Sequence, residues 1–355
     1  MDKYGIDGHK LMYHVSRVSD WLHGKNIYPI YMEVSPMGAC NHRCAFCGLD
    51  FMGYRKRALD TKRLKEIISE LAELGLKSIM YAGEGEPLLH GDIVDIILHT
   101  RESGIDVALT TNGVLLDQKK ADRILGALEW IKVSCNAGTP STYARIHGTK
   151  ERDFGRLMDN LSMAVQTKKA NRHSSVLGMQ ILLLPENEHE VIRLAEKARE
   201  IGLDYLVVKP YSQHPQSITS TYKDIRYSGY ESLAEKLAAL NTNSFNVIVR
   251  LRTMRQWDEK KKEYHKCHAL PFWSYLDAGG NVWGCSVYME DERFRYGNIY
   301  EQSFQKIWEG EKRRASLSRV AMEQNPESCR VNCRMDAVNR YLWELKHPPE
   351  HVNFI

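Results

Sequence analysis

The chain is 355 residues long, 43% hydrophobic and 26% charged, with a formal net charge of +4 at pH 7. No run approaches the ~18 apolar residues of a membrane span, and the first thirty residues, with His9, Lys10, His14, Arg17, Asp20 and Lys25 scattered through them, lack the apolar block of a signal peptide. Basic and acidic residues are mixed, so neither a membrane nor a nucleic-acid partner is expected. Eight cysteines in an unexported chain point to metal ligation rather than disulfides and to a reducing cytoplasm.

In chain order, residues 30–34 read as a first strand that ends at a cysteine loop. Between Lys62 and Gly75, Leu64, Ile67, Ile68, Leu71 and Leu74 recur at helical spacing and Gly75 marks the C-terminus. Further strands are predicted over 77–81, 106–110, 130–134, 176–184 and 205–209, with helices over about 92–103, 156–169 and 188–201. Six strands alternating with helices imply right-handed βαβ units and a parallel sheet, short of the eight repeats of a closed barrel. From about Arg250 the repeat stops and a highly charged stretch, 252–263, follows. Beyond it, Gly280 to Cys285 reads as part of a hairpin turning at Gly279-Gly280, and a short helix covers about 303–309. The expected division is an N-terminal extension (1–28), a partial (β/α)6 barrel (29–250), a small α+β domain (251–340) and a C-terminal tail (341–355).

In parallel α/β sheets ligands sit at the C-terminal ends of the strands. After strand one stand Cys40, Cys44 and Cys47, spaced C-x3-C-x2-C. Three thiolates suit three corners of a [4Fe–4S] cubane and leave one iron open. Zinc is the competing reading, although structural zinc usually takes four ligands at paired spacing. After strand two comes Ala82-Gly83-Glu84-Gly85-Glu86-Pro87, after strand three Thr110-Thr111-Asn112-Gly113, and after strand four Ser134-Cys135-Asn136.

This arrangement resembles the radical S-adenosylmethionine (radical SAM) superfamily, with Phe46 as the aromatic residue before the third cysteine. The resemblance implies a cluster on Cys40, Cys44 and Cys47 whose open iron binds SAM and whose reduction releases a 5′-deoxyadenosyl radical. It implies a SAM site built from Gly83, Gly85, Glu86 and Pro87, where Glu86 would meet the SAM ammonium. Glu84 departs from the family's first glycine there. Asn112, Ser134 and Asn136 would add polar contacts. Gln180 on strand five, and Lys209 and Tyr211 after strand six, are placed to line the substrate side. Alternation along strand four turns Cys135 away from the ligand, as a packed thiol. Lys209, Tyr211 and Cys135 are nevertheless the candidates for catalytic groups.

Cys267, Cys285, Cys329 and Cys333 follow in the last ninety residues. With Gly280-x4-Cys285 and Cys329-x3-Cys333 they resemble the auxiliary-cluster domain of the SPASM/Twitch branch, and four remaining thiols match one auxiliary [4Fe–4S] cluster, as in the 2-deoxy-scyllo-inosamine dehydrogenase type. A zinc ion on the same four thiolates is the alternative. The resemblance implies an oxidoreductase that takes hydrogen from a carbon bearing a hydroxyl or amine on a small sugar-like, aminocyclitol or nucleotide-like substrate, with flavodoxin or ferredoxin as electron donor. A peptide maturase and a redox-neutral epimerase, which would need Cys135 as hydrogen donor, are the other readings. Tyr143, Arg145, His147, Tyr211, His214, Tyr288 and Arg295 are candidate contacts to a sugar or nucleotide.

Overall fold

The computed structural model describes residues 4–6 and 8–354. Seven strands, β1 (Tyr31–Val34), β2 (Ser78–Tyr81), β3 (Asp106–Thr111), β4 (Trp130–Ser134), β5 (Val176–Leu183), β6 (Tyr205–Pro210) and β7 (Asn246–Val249), lie parallel in chain order. The other edge of the sheet continues through β8 (Trp273–Leu276), parallel to β1, and then β9 (Asn281–Trp283) and β10 (Arg295–Asn298), both antiparallel to their neighbours. All ten strands therefore form one sheet, ordered β10-β9-β8-β1-β2-β3-β4-β5-β6-β7.

Alternation divides each strand between two environments. Met32 and Val34 of β1, Ile79 and Tyr81 of β2, Val107 and Leu109 of β3, and Ile131 and Val133 of β4 pack in the main core against the outer helices. Tyr31, Met80, Ala82, Ala108 and Trp130 meet on the opposite, inner face. The helices start where side chains cap them: Asp60 accepts from the Arg63 N–H at the head of Thr61–Glu73, and Thr139 caps Pro140–His147 with Pro140 in its first turn.

The predicted strands and their intervening helices fall where expected, but the repeat runs to a seventh strand and the second domain is continuous with the first sheet. β7 is only four residues long, and β8 belongs to the barrel sheet through the pairing of Trp273 with Tyr31, far apart in the chain, which no local pattern records. The helix Asp336–Lys346 runs through position 340. Its Leu342 packs with Leu11, Val18, Ile27, Ile30 and Phe272, so both ends of the chain share one apolar cluster. Among the described residues no helix is long and apolar enough to cross a membrane.

Candidate iron–sulfur and S-adenosylmethionine site

The cysteine loop leaves β1 and is pinned to the end of helix Pro140–His147. Arg43 and Ala45 N–H groups donate to the carbonyls of His147 and Ile146 at 3.0 and 2.9 Å. Gly148, at φ +55°, ends that helix where a Cβ would stand 2.2 Å from the Arg43 carbonyl oxygen, so only glycine lets the two segments meet. The three thiols lie within electrostatic reach of one another, and burial followed by mutual repulsion raises the Cys44 thiol well above its usual pKa. Burial also pushes Cys40 up to about 11. Crowded buried thiols ionise readily only with a cation among them, so this donor set fits a metal cluster.

Each sulfur has a protein donor. His42 N–H points at Cys40 Sγ (3.5 Å), the Tyr54 hydroxyl bonds Cys47, and His147 Nδ1 lies 3.4 Å from Cys44 Sγ. The Asn136 backbone N–H donates to His147 Nε2 at 3.1 Å, which leaves the ring proton on Nδ1, facing the sulfur. Burial, then His42, hold His147 well below its usual pKa and hence neutral. Tyr143 stacks beneath the His147 ring at 4.2 Å, and Phe46 meets its edge at 5.4 Å. His42, Cys44 and His147 place one ligating atom each within 4.8 Å of one another, and both His42 nitrogens lack a hydrogen-bond partner among the described residues, with Asp153 Oδ2 3.9 Å from Nε2.

Next to this loop lies the turn after β2. A Cβ on Gly85 would stand 2.1 Å from the Ala39 carbonyl oxygen, which explains the glycine there. The Glu86 carboxylate, which the motif implied would meet the SAM ammonium, is held by protein donors. It accepts from Thr111 Oγ1 (2.5 Å), Leu88 N–H (3.1 Å) and Asn112 N–H (2.8 Å), and is 2% exposed. Asn112 in turn gives its side-chain N–H to Asn41 Oδ1 at 2.7 Å. Asn136 is likewise consumed internally, accepting from Leu182 N–H at 2.6 Å and bonding Asn187. Glu86, Asn112 and Asn136 thus brace the strand-end loops against one another. The Ser134 hydroxyl has no protein partner among the described residues. It stands in register with Gln180 on the inner face, so these two remain open to a ligand.

Glu84, in place of the family's glycine, has its own structural use. Its carboxylate accepts from Arg57 Nη2 and from the Ala278 N–H, both at 2.9 Å, tying the SAM loop to the β8–β9 turn. Asp277 lies 3.9 Å from the same guanidinium.

Four further thiols converge in the second domain. Cys267, Cys285, Cys329 and Cys333 line one pocket with Tyr264, Trp273 and Tyr288, and their mutual repulsion adds to burial in raising Cys285. Here too each sulfur has a donor: Val287 N–H for Cys285 (3.4 Å), Met335 N–H for Cys333 (3.4 Å), Asn339 Nδ2 for Cys267 (3.6 Å) and the Tyr288 hydroxyl for Cys329. This set fits a fully ligated cluster, with no side chain left to open a site.

The inner face of the sheet carries charges of which the sequence reading picks out only Lys209. Glu33 on β1 pairs with Arg334 at 2.6 Å, and the same nitrogen donates to the Tyr31 hydroxyl at 2.6 Å. Lys132, two residues before Ser134, and Lys209 face the same space. Arg330, on the loop between Cys329 and Cys333, is held by Ser212 through Nε (2.8 Å) and Nη2 (2.7 Å). Other candidates lie elsewhere. Cys135 is wholly buried in the main core, its Sγ donating to the Ala137 carbonyl. The Tyr211 ring packs on Tyr222 and Trp257, Tyr143 and His147 lie beneath Cys44, and His214 is buried against Phe51. Tyr288 belongs to the four-thiol pocket.

A parallel sheet with an open three-thiol loop at its strand ends, continued into a four-thiol pocket, defines a two-centre iron–sulfur protein. Residues 34–198 match the Radical SAM superfamily and residues 267–334 match the iron–sulfur cluster-binding domain SPASM. The chain belongs to the radical SAM superfamily of enzymes, in its SPASM-bearing branch, and these domains bring SAM, a [4Fe–4S] cluster and an auxiliary iron–sulfur cluster. It is similar to the GTP 3′,8-cyclase of Chlorobaculum tepidum, 27% identical over 212 residues, 59% of this chain and 61% of that protein. The matched region thus spans about three fifths of that relative. It is also similar to the AdoMet-dependent heme synthase of Methanosarcina barkeri, 24% identical over 288 residues, 76% of this chain and 79% of that one. Among solved structures, Streptococcus suis SuiB bound to the precursor peptide SuiA shares the fold with a TM-score of 0.65 at 17% identity, covering 84% of this chain and 69% of SuiB.

Proposed function

We propose that this protein is a radical SAM oxidoreductase acting on a small polar molecule in a reducing cytoplasm, with flavodoxin or ferredoxin as electron donor. The observation that carries this reading is the pairing of an open three-thiol centre with a closed four-thiol centre across one sheet. Cys40, Cys44 and Cys47 would hold the SAM-binding cluster, and Cys267, Cys285, Cys329 and Cys333 the auxiliary one. When bound, these groups supply a 5′-deoxyadenosyl radical that takes hydrogen from a carbon bearing a hydroxyl or amine, and an acceptor for the electron left behind. The chain's own part is placement. Gly83, Gly85 and Pro87 shape the loop, Glu86 braces it, and Ser134 and Gln180 offer polar groups to SAM.

Two relatives are named for small-molecule chemistry, GTP cyclisation and heme synthesis, which supports a small substrate. The maturase reading rests on fold likeness alone, to peptide-bound structures such as those of SuiB and anSMEcpe. The epimerase reading loses its donor, since Cys135 packs in the core rather than on the inner face.

The test is iron and acid-labile sulfide per chain after anaerobic reconstitution, beside a variant with Cys40, Cys44 and Cys47 changed to Ala, with 5′-deoxyadenosine formation from SAM measured in parallel. About eight irons in the parent and about four in the variant, with SAM cleavage in the parent only, is the expected result. About four in the parent and none in the variant would remove the auxiliary-cluster half of the proposal.

A further inference from the structure

The barrel interior holds more positive charge than the cluster sites explain. Lys132 on β4, Lys209 on β6, Arg250 just after β7, and Arg330 and Arg334 from the Cys329–Cys333 loop and its end lie within electrostatic reach of one another. The carboxylate that faces them is Glu33, and Arg334 already occupies it at 2.6 Å. Arg330 is anchored on Ser212 and sits beside Cys329 and Cys333, where it offsets thiolate charge. Arg250 is engaged as well, which leaves Lys132 and Lys209. Neither ammonium makes a hydrogen bond or ion pair among the described residues, and that of Lys132 lies over the Trp130 ring, 5.2 Å from its centroid.

Register places the two lysines on the substrate side. Lys132 lies one inward position below Ser134, and Lys209 pairs with Leu182, one inward position beyond the Ser134–Gln180–Val207 rung. The lysines thus flank the level of the open SAM-facing groups. Both side chains are only partly buried, so they line space rather than pack a core. Burial and repulsion from Arg334 and Arg250 hold Lys132 down to about 8, and burial and repulsion from Lys132 and Arg250 hold Lys209 well below its usual value. An anion among them would reverse both effects.

We propose that the substrate carries an anionic group, a phosphoryl or a carboxylate, which seats between Lys132 and Lys209 inside the barrel. This rests on the oxidoreductase reading and narrows it. A cationic aminocyclitol, the substrate type implied by the dehydrogenase resemblance, would meet repulsion in the same place.

The test titrates reconstituted, SAM-loaded protein with inorganic pyrophosphate, malonate and 2-deoxystreptamine by calorimetry, and repeats the series on Lys132→Met/Lys209→Met and Lys132→Arg/Lys209→Arg. Saturable binding of pyrophosphate or malonate, weakened at least tenfold in the Met pair and retained in the Arg pair, is expected. Pyrophosphate alone identifies a phosphoryl group and malonate alone a carboxylate. Binding of neither anion, equal binding by the Met pair, or preference for the amine overturns the proposal. Iron content and SAM cleavage of the parent are read in the same preparation. A parent with about eight irons and SAM cleavage but no anion binding fails this inference alone, whereas a parent without them fails the oxidoreductase reading.

Discussion

Replacing Glu86 separates a carboxylate that braces the fold from one that holds a ligand. In the structure its two oxygens satisfy three donors, Thr111 Oγ1, the Leu88 N–H and the Asn112 N–H, all buried. Glu86→Ala strands those donors, and an unsatisfied buried donor costs about 1–3 kcal/mol. Even at about 1 kcal/mol each the loss reaches about 3 kcal/mol, a large share of the ~5–15 kcal/mol that holds a domain folded. Glu86→Gln keeps one oxygen for Thr111 and Leu88 but turns an NH2 toward the Asn112 N–H, so its cost is one mismatched contact, about 1–3 kcal/mol. The expected order of denaturant midpoints, measured without SAM, is parent above Gln above Ala. An alanine variant with the parent's midpoint but no SAM affinity would refute this reasoning and return Glu86 to the role its motif implies.

Two other consequences are open to measurement. His147→Phe removes the N–H that faces Cys44 Sγ while keeping a ring above Tyr143. Hydrogen bonds to cluster sulfurs favour the reduced state, so the variant cluster should show a lower reduction potential by EPR-monitored titration, and an unchanged potential would deny the Nδ1–H···S bond. Asp50 accepts from Ser217 Oγ and from the Ile218 and Thr219 N–H groups at 3.0, 2.9 and 2.8 Å. Burial opposes its charge, yet these donors hold its carboxyl below the usual value. With the folded pKa depressed, the contribution is complete above the unfolded value, ~3.9, and is lost as pH falls through the folded one. Hydrogen exchange at Ile218 and Thr219 should therefore accelerate in that acid window relative to neighbouring loops, and Asp50→Asn should show the fast exchange already at pH 7. Equal protection in the parent and the Asn variant would contradict the assignment.

The three-cysteine centre was legible because its ligands are local, whereas Cys267, Cys285, Cys329 and Cys333 were grouped only by their resemblance to an auxiliary-cluster domain. Three thiols within eight residues reach one metal site whatever the distant fold does, and alternating apolar runs with helical stretches suffice for a parallel sheet. Glu86 and Asn136 were also found by their motifs, but a motif records position and not the direction of a side chain. Their neighbours Thr111, Leu88, Leu182 and Asn187 satisfy them, so they brace loops. His147 was noticed only as a possible sugar contact. A lone histidine ending a helix carries no signal until Gly148 lets that helix close on the cysteine loop.

The sequence by itself determined which residues bear thiols, where strands end and hence where the ligand face lies, since these depend on spacing and periodicity. Only the tertiary structure decided that β8 extends the barrel sheet beside β1, that Glu84 reaches across to Ala278, and that Lys132, Lys209, Arg250, Arg330 and Arg334 share one interior. Those residues are up to about 200 positions apart. Their electrostatic meaning comes from convergence in a confined space, where like charges raise one another's cost, and composition alone, at a net charge of +4, averages that field away.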